Sequence, residues 1–157
     1  MELQAPNVKL IHYGAKNYDP KLVSPIKNSW VKPEGGLWTS PINSEYGWKD
    51  WCTMEDFREC TEDNSFVIEL YDWAKVYVID DLEDLLALPF TTFFEGEYLD
   101  FEWLAKEYDA VWLTNKGEVK TRWTKPALYG WDCESVLILN PECCFQVPHP
   151  VEEKVSA

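Results

Sequence analysis

An α+β domain of many short strands and a few short helices is the fold class that the sequence predicts. Three observations predict it. Short apolar runs rich in Val, Ile and Leu recur at 8–13, 65–70, 75–79, 110–114 and 135–140, with the length and branching of strands. Two segments, 80–88 and 100–108, open on aspartates and carry apolar residues at helical spacing. The chain of 157 residues is 46% hydrophobic and 15% aromatic, enough for one packed core and too apolar for disorder.

Taken in order, 8–13 reads as a strand, and 19–27 as a short helix weakened by Pro25. Pro33, Gly35, Gly36 and Pro41 make 29–41 loop-like, with a short strand at 37–40. Ser44 is a candidate cap for a helical segment over 45–52. Strands follow at 65–70 and 75–79. A helix capped by Asp80 or Asp81 runs to Leu88 and stops at Pro89. A second runs over 100–108, with Phe101, Leu104, Ala105 and Tyr108 on one face. Strands at 110–114 and 119–123 flank Asn115-Lys116-Gly117-Glu118, the signature of a hairpin. A buried strand over 135–140 closes at Pro141. The expected organisation is one domain over 1–145 and a polar, frayed tail over 146–157.

The net charge is −14. It argues against a stably bound nucleic acid, which requires a basic surface, and against docking on anionic membranes. Six lysines against five acids leave residues 1–50 at +1, so the rest of the chain carries −15. The N-terminal third is therefore where a phosphate-bearing ligand is tolerated, although scattered surface lysines explain the same numbers. The five cysteines, Cys52, Cys60, Cys133, Cys143 and Cys144, are odd in number and contain no CxxC. Neither a disulfide framework nor a metal site is expected. Reduced thiols, no run of about 18 apolar residues and no signal-peptide start point to a cytoplasmic protein.

Two motifs carry candidate chemistry. Leu10-Ile11-His12-Tyr13-Gly14 places an imidazole beside a glycine at a strand end, and Gly35-Gly36-Leu37-Trp38-Thr39-Ser40 brings two glycines to an aromatic ring. Together they offer one hydrogen-bonding group, one stacking surface and accessible backbone, the parts that hold a flat heteroaromatic ligand. A lone histidine on a strand is more often structural, and His149 in the tail is its only companion. Glu134 stands just before the last apolar strand, two residues after Asp132. In extended chain the two carboxylates point the same way and can share a site; a solvated edge acid is the plainer reading.

In this order the motifs resemble the ADP-ribosyltransferase superfamily, in its His–aromatic–Glu clade of diphtheria-toxin and poly-ADP-ribose-polymerase type. The matching residues are His12 with Gly14, then Gly36-Leu37-Trp38-Thr39-Ser40, then the aromatic segment from Ser44 through Trp48 and Trp51 to Cys52, and last Glu134 before Ser135-Val136-Leu137-Ile138. The segment 100–112 is similar to the helix and strand that precede this glutamate in bacterial members. The likeness covers about residues 8–52 and 100–140. Trp38 stands where the clade has tyrosine, and Tyr13 separates His12 from its glycine.

The resemblance implies a split β-sandwich that uses NAD as substrate, with no metal. His12 would bind the nicotinamide ribose. The backbone of Tyr13 or Gly14, with Ser44, would bind the carboxamide. Trp38 and either Trp48 or Trp51 would enclose the ring, beside Gly36 and Thr39. Glu134 would accept the ribose 2′-OH and stabilise the cationic ribosyl centre, as carboxylates do in glycoside cleavage. Lys16, Lys27 or Lys32 would meet the pyrophosphate, and Asp132 would lie on the acceptor side. The acceptor is left open: protein, nucleic acid, small molecule or water. The type implied is a free-standing toxin, a phage-type modifier working in a host cytosol, or a housekeeping transferase. The alternative is a non-enzymatic acidic inhibitor or interaction protein on a degenerate transferase fold. It would dock on a basic protein or mimic a nucleic acid.

Overall fold

The computed structural model describes residues 2–4, 8–29, 32–44, 47, 62–93, 96–124, 128, 131 and 133–150. Their strands are β1 (Glu2–Gln4), β2 (Leu10–Tyr13), β3 (Ser24–Lys27), β4 (Glu34–Pro41), β5 (Ser65–Leu70), β6 (Lys75–Ile79), β7 (Phe90–Phe93), β8 (Gly96–Leu99), β9 (Ala110–Leu113), β10 (Ser135–Ile138) and β11 (Cys144–Val147). Their helices are α1 (Leu82–Leu86), α2 (Phe101–Glu107) and α3 (Asn115–Thr121). This is a mixed α+β chain dominated by strands. Among the described residues, no helix is long and apolar enough to cross a membrane.

Eight strands pair in the order β1-β6-β9-β10-β4-β2-β5-β11, with β3 on the side of β4; β7 and β8 form a separate hairpin. Among the described strands, only β6 and β9 run parallel. This order cannot lie flat. β5 and β6 are five strand steps apart, about 24 Å in a planar sheet. Yet the link from Leu70 to Lys75 is a turn closed by Ala74 N donating to Tyr71 O at 3.0 Å. The sheet must therefore fold over on itself.

The packing agrees. Leu10, Phe66, Ile68 and Cys144 from the β2-β5-β11 half share one core with Val76, Val78, Ala110, Val136 and Ile138 from the β6-β9-β10 half. The alternate residues of the second half, Tyr77, Ile79, Val111, Leu113 and Leu137, face outward. They are covered by Leu85 of α1, Phe101 and Leu104 of α2, and the buried Trp131. Burial on both faces explains why β6 and β10 read as unbroken apolar runs.

The two halves meet on β4. Residues Leu37, Trp38 and Thr39 pair with Ile138, Leu137 and Val136 of β10, while Ser40 and Pro41 pair with Ile11 and Leu10 of β2. The other end of β4 is paired by β3, from Gly36 to Glu34. Gly35 and Gly36 have positive φ, and a Cβ on Gly35 would lie 2.1 Å from Pro25 O. The two glycines thus let β3 and β4 approach each other.

Four sequence expectations change. The stretch expected to be loop-like over 29–41, with a short strand at 37–40, holds strand β4 from Glu34 to Pro41. The helix expected over 19–27 is a single 3-10 turn at Pro20–Leu22, capped by Asp19, followed by strand β3. Pro25 lacks the N–H a helix needs and is tolerated on an edge strand. The hairpin expected over 110–123 is strand β9 followed by helix α3. Thr114 caps that helix by accepting Gly117 N at 3.0 Å, so the Asn-Lys-Gly-Glu run opens a helix. The tail set at 146 begins inside the sheet, since Gln146 and Val147 of β11 pair with Ile68 and Val67. The helical segment expected over 45–52 lies outside the described residues, apart from Gly47.

Candidate functional site

Glu134 sits at the head of β10 and is 7% exposed. Its position follows from strand alternation: it precedes the inward-facing Val136 by two residues, so its side chain shares that face. Three elements bring donors to it. Trp112 of β9 is opposite Val136, and its indole Nε1 donates to Glu134 Oε2 at 2.9 Å. Asn115, the first residue of α3, donates through Nδ2 to Oε1 at 3.2 Å and to Ser44 Oγ at 3.3 Å. The Ser44 hydroxyl donates to Glu134 Oε1.

Ser44 is held by the turn that ends β4, where its N–H donates to Pro41 O at 3.0 Å. Gly47 is pressed against the same turn: a Cβ there would lie 2.9 Å from Ser40 Oγ and 3.3 Å from Ser44 Cβ. A carboxylate has about four acceptor directions. The described residues use two on Oε1 and one on Oε2, so Oε2 keeps capacity for a ligand hydroxyl.

His12 lies on the same inner face. Its ring packs on Phe66, with centroids 5.1 Å apart, and its Nδ1 is 2.7 Å from Trp38 O. A carbonyl only accepts, so Nδ1 carries the proton of this bond. Trp38 lies where neither β3 nor β2 pairs with β4, and the imidazole takes its carbonyl in place of a backbone donor. By the strand registers, His12 and Glu134 are separated by two strand widths and two residues, roughly 10–12 Å between Cα atoms.

The ring of Trp38 points the other way. It meets Trp131 edge-on, with centroids 4.8 Å apart at 77°, on the helix-covered face. Lys32 Nζ lies 5.5 Å from its centroid. The structure thus brings His12, Ser44 and Glu134 to one face and gives that face the backbone of Trp38, not its ring. Thr39 is buried and donates to Val136 O at 2.7 Å. Gly36 is a packing position, where a Cβ would lie 2.7 Å from Leu137 Cδ1. Gly14 N donates to Asn64 O at 2.8 Å, so this amide is already engaged. Tyr13 is half-buried beside it, opposite Ser65. Lys16 and Lys27 are exposed. Trp48, Trp51 and Asp132 lie outside the described residues.

No family model, curated protein or solved structure matches the chain. Trp112 and Asn115 are the residues that sequence reasoning missed. Trp112 read as one more apolar strand position, and Asn115 as a turn. Among the described residues, no group of three or more His, Cys, Asp or Glu is placed to hold a metal. A separate open cleft of about 380 Å³ lies at the far end of β10, lined in part by Trp73, Lys75, Lys106, Tyr108, Asp109 and Asn140. It does not include Glu134 or His12.

Proposed function

We propose that the chain is an NAD-dependent ADP-ribosyltransferase on a split β-sandwich, with Glu134 as its catalytic carboxylate. One observation carries the reading: Glu134 is nearly buried yet oriented by Ser44, Asn115 and Trp112, on the face it shares with His12. Three donors fix the carboxylate before any ligand arrives, the preorganisation that electrostatic stabilisation of a transition state needs. Oε2 accepts the ribose 2′-OH, and the His12 ring, on the same face, meets a second ribose hydroxyl. The C1′–N bond of the nicotinamide riboside breaks, and its electron pair leaves with nicotinamide. Glu134 stabilises the cationic ribosyl centre. The acceptor bonds to C1′ and loses its proton to solvent; with water as acceptor the outcome is NAD hydrolysis.

The test is nicotinamide release from NAD by purified protein. Glu134→Gln keeps the shape of the side chain and is expected to slow release by about 10²–10³-fold, with the wild-type circular dichroism spectrum retained. Wild-type protein that releases no nicotinamide sinks the reading. The position of the Trp38 ring, turned to Trp131, favours a second reading: an acidic binding protein on a degenerate transferase fold. It predicts salt-sensitive capture of a basic partner with no NAD turnover.

A further inference from the structure

Four of the chain's 14 cations, Lys116, Lys120, Arg122 and Lys125, fall within ten consecutive residues that contain one acid, Glu118. In a chain of net charge −14 this reversal is local, and α3 displays it. Helical spacing puts Lys116, Val119, Lys120 and Trp123 on one stripe. All four are exposed, Val119 at 70% and Trp123 at 78%. The opposite face, Gly117, Glu118 and Thr121, is buried. Arg122 caps the helix with helical dihedrals, φ −62° and ψ −42°, which carries the stripe on to Trp123. Lys116 pairs with Asp80 and Arg122 with Glu118, each at 3.5 Å. The Lys116–Asp80 pair is open to solvent on both sides, so it contributes little and gives way to a stronger anion; Glu118 is buried, so Arg122 stays with it.

The same helix begins at Asn115, which donates to Glu134. At helical rise, Asn115 and Trp123 lie about 12 Å apart along the axis of α3. A cationic stripe ending in a solvent-exposed indole therefore leads to the candidate carboxylate. We infer that this stripe docks a single-stranded nucleic acid and presents it to Glu134 as the acceptor of ADP-ribose. The acceptor role rests on the transferase reading; the docking does not.

The chemistry selects this partner. The indole face of Trp123 stacks a base, and Lys116 and Lys120 meet the phosphates. A duplex hides its base faces, and an acidic peptide would leave Trp123 and Val119 uncovered. The charge of the whole chain repels any polyanion, so the complex is transient and steeply salt-dependent. In the transfer, a nucleophilic nitrogen or oxygen of the docked strand bonds to C1′ of the nicotinamide ribose. The C1′–N bond breaks, its electrons leave with nicotinamide, and the nucleophile's proton passes to solvent.

The experiment is fluorescence anisotropy of a fluorescein-labelled, mixed-sequence DNA single strand, without NAD. The ionic strength is about 0.01 M, where screening is weak. Binding is expected, with a slope of log K against log salt of about −1.4 for two cations. Trp123→Ala weakens it at least about fivefold, and the double variant Lys116→Glu, Lys120→Glu abolishes it. All three side chains are exposed, and thermal melts confirm that the variants fold. With NAD added, the strand gains the mass of ADP-ribose.

The docking is overturned by no binding, or by binding that these variants do not alter. It is also overturned if duplex DNA or polyglutamate displaces the labelled strand as well as unlabelled single strand does. Nicotinamide release is measured separately. Release without strand binding overturns the docking and leaves the transferase standing. Strand binding without release overturns the transferase, and with it the acceptor role.

Discussion

The imidazole of His12 stands where a strand partner is missing. Its Nδ1 covers the Trp38 carbonyl at 2.7 Å. His12→Phe keeps an aromatic ring on Phe66 but removes that hydrogen bond. It is expected to lower the unfolding free energy by about 1–2 kcal/mol, read from urea denaturation. His12→Asn restores a donor without the second ring nitrogen. On the transferase reading it denatures close to wild type yet releases nicotinamide at least about tenfold more slowly, a loss of about 1.4 kcal/mol in the transition state. The sequence singles out His12 by its glycine and its short strand. Its partner is not legible there, because the carbonyl of Trp38 is open only where β3 and β2 fail to meet on β4. Trp38 has the same difficulty. Alternation says that Trp38 and Thr39 face opposite sides. Which side holds Trp131 depends on distant chain.

Helix α3 shows how one position settles an element. Thr114 caps it, Thr121 Oγ1 donates to Gly117 O at 2.8 Å, and a Cβ on Gly117 would lie 2.0 Å from Ile79 O. Alanine is the better helix former by about 1 kcal/mol, so propensity alone predicts that Gly117→Ala stabilises. The backbone contact reverses the sign. Thermal denaturation of Gly117→Ala is expected to show a loss of about 1–3 kcal/mol. The run Asn115 to Glu118 resembles a hairpin turn because the demand for glycine comes from β6, a separate strand, and not from a left-handed φ. Where capping is local, the sequence is easier to read. Asp81 caps α1, as expected, in a capping box with Asp84; the aspartate expected to begin the second helix, Asp100, is the cap of α2. Asp109 ties two strand ends together, accepting Lys75 N at 2.7 Å and Asn140 Nδ2 at 2.8 Å. Asp109→Ala removes both charge-assisted bonds and is expected to lower stability by about 2–4 kcal/mol in urea denaturation.

At the scale of the molecule, buried tyrosines make stability fall in alkali. Burial, then the nearby Asp84 and Tyr108, push the Tyr77 hydroxyl up to about 12. Burial also raises Tyr108, and burial with the Cys144 thiol raises Tyr18. An unfolded tyrosine releases its proton near pH 10, while the folded chain keeps Tyr77 protonated. The unfolded state therefore binds fewer protons between about pH 10 and 12, so stability is full below pH 10 and falls as pH rises through that window. Tyr77→Phe is expected to remove part of this slope, read as melting temperature against pH. The mixed α+β class was legible, because strands such as β5 and β6 keep their periodicity in isolation. Strand order was not, since β6 and β9 pair in parallel around a crossover and β4 finds β10 across a separation of 97 residues, as in the Thr39–Val136 contact.

That separation also sets a schedule for the growing chain. β2, β4 and β5 leave the ribosome well before β10 does. At about 5–20 residues per second, the edge of β4 that β10 will occupy waits about 5–20 s for its partner. β10 must then enter between two strands already made, β4 and β9. The candidate carboxylate rides at the head of this last interior strand. A nascent chain stalled before β10 therefore shows a bare strand edge to chaperones and has no working site, and the arrival of a single strand ends both conditions.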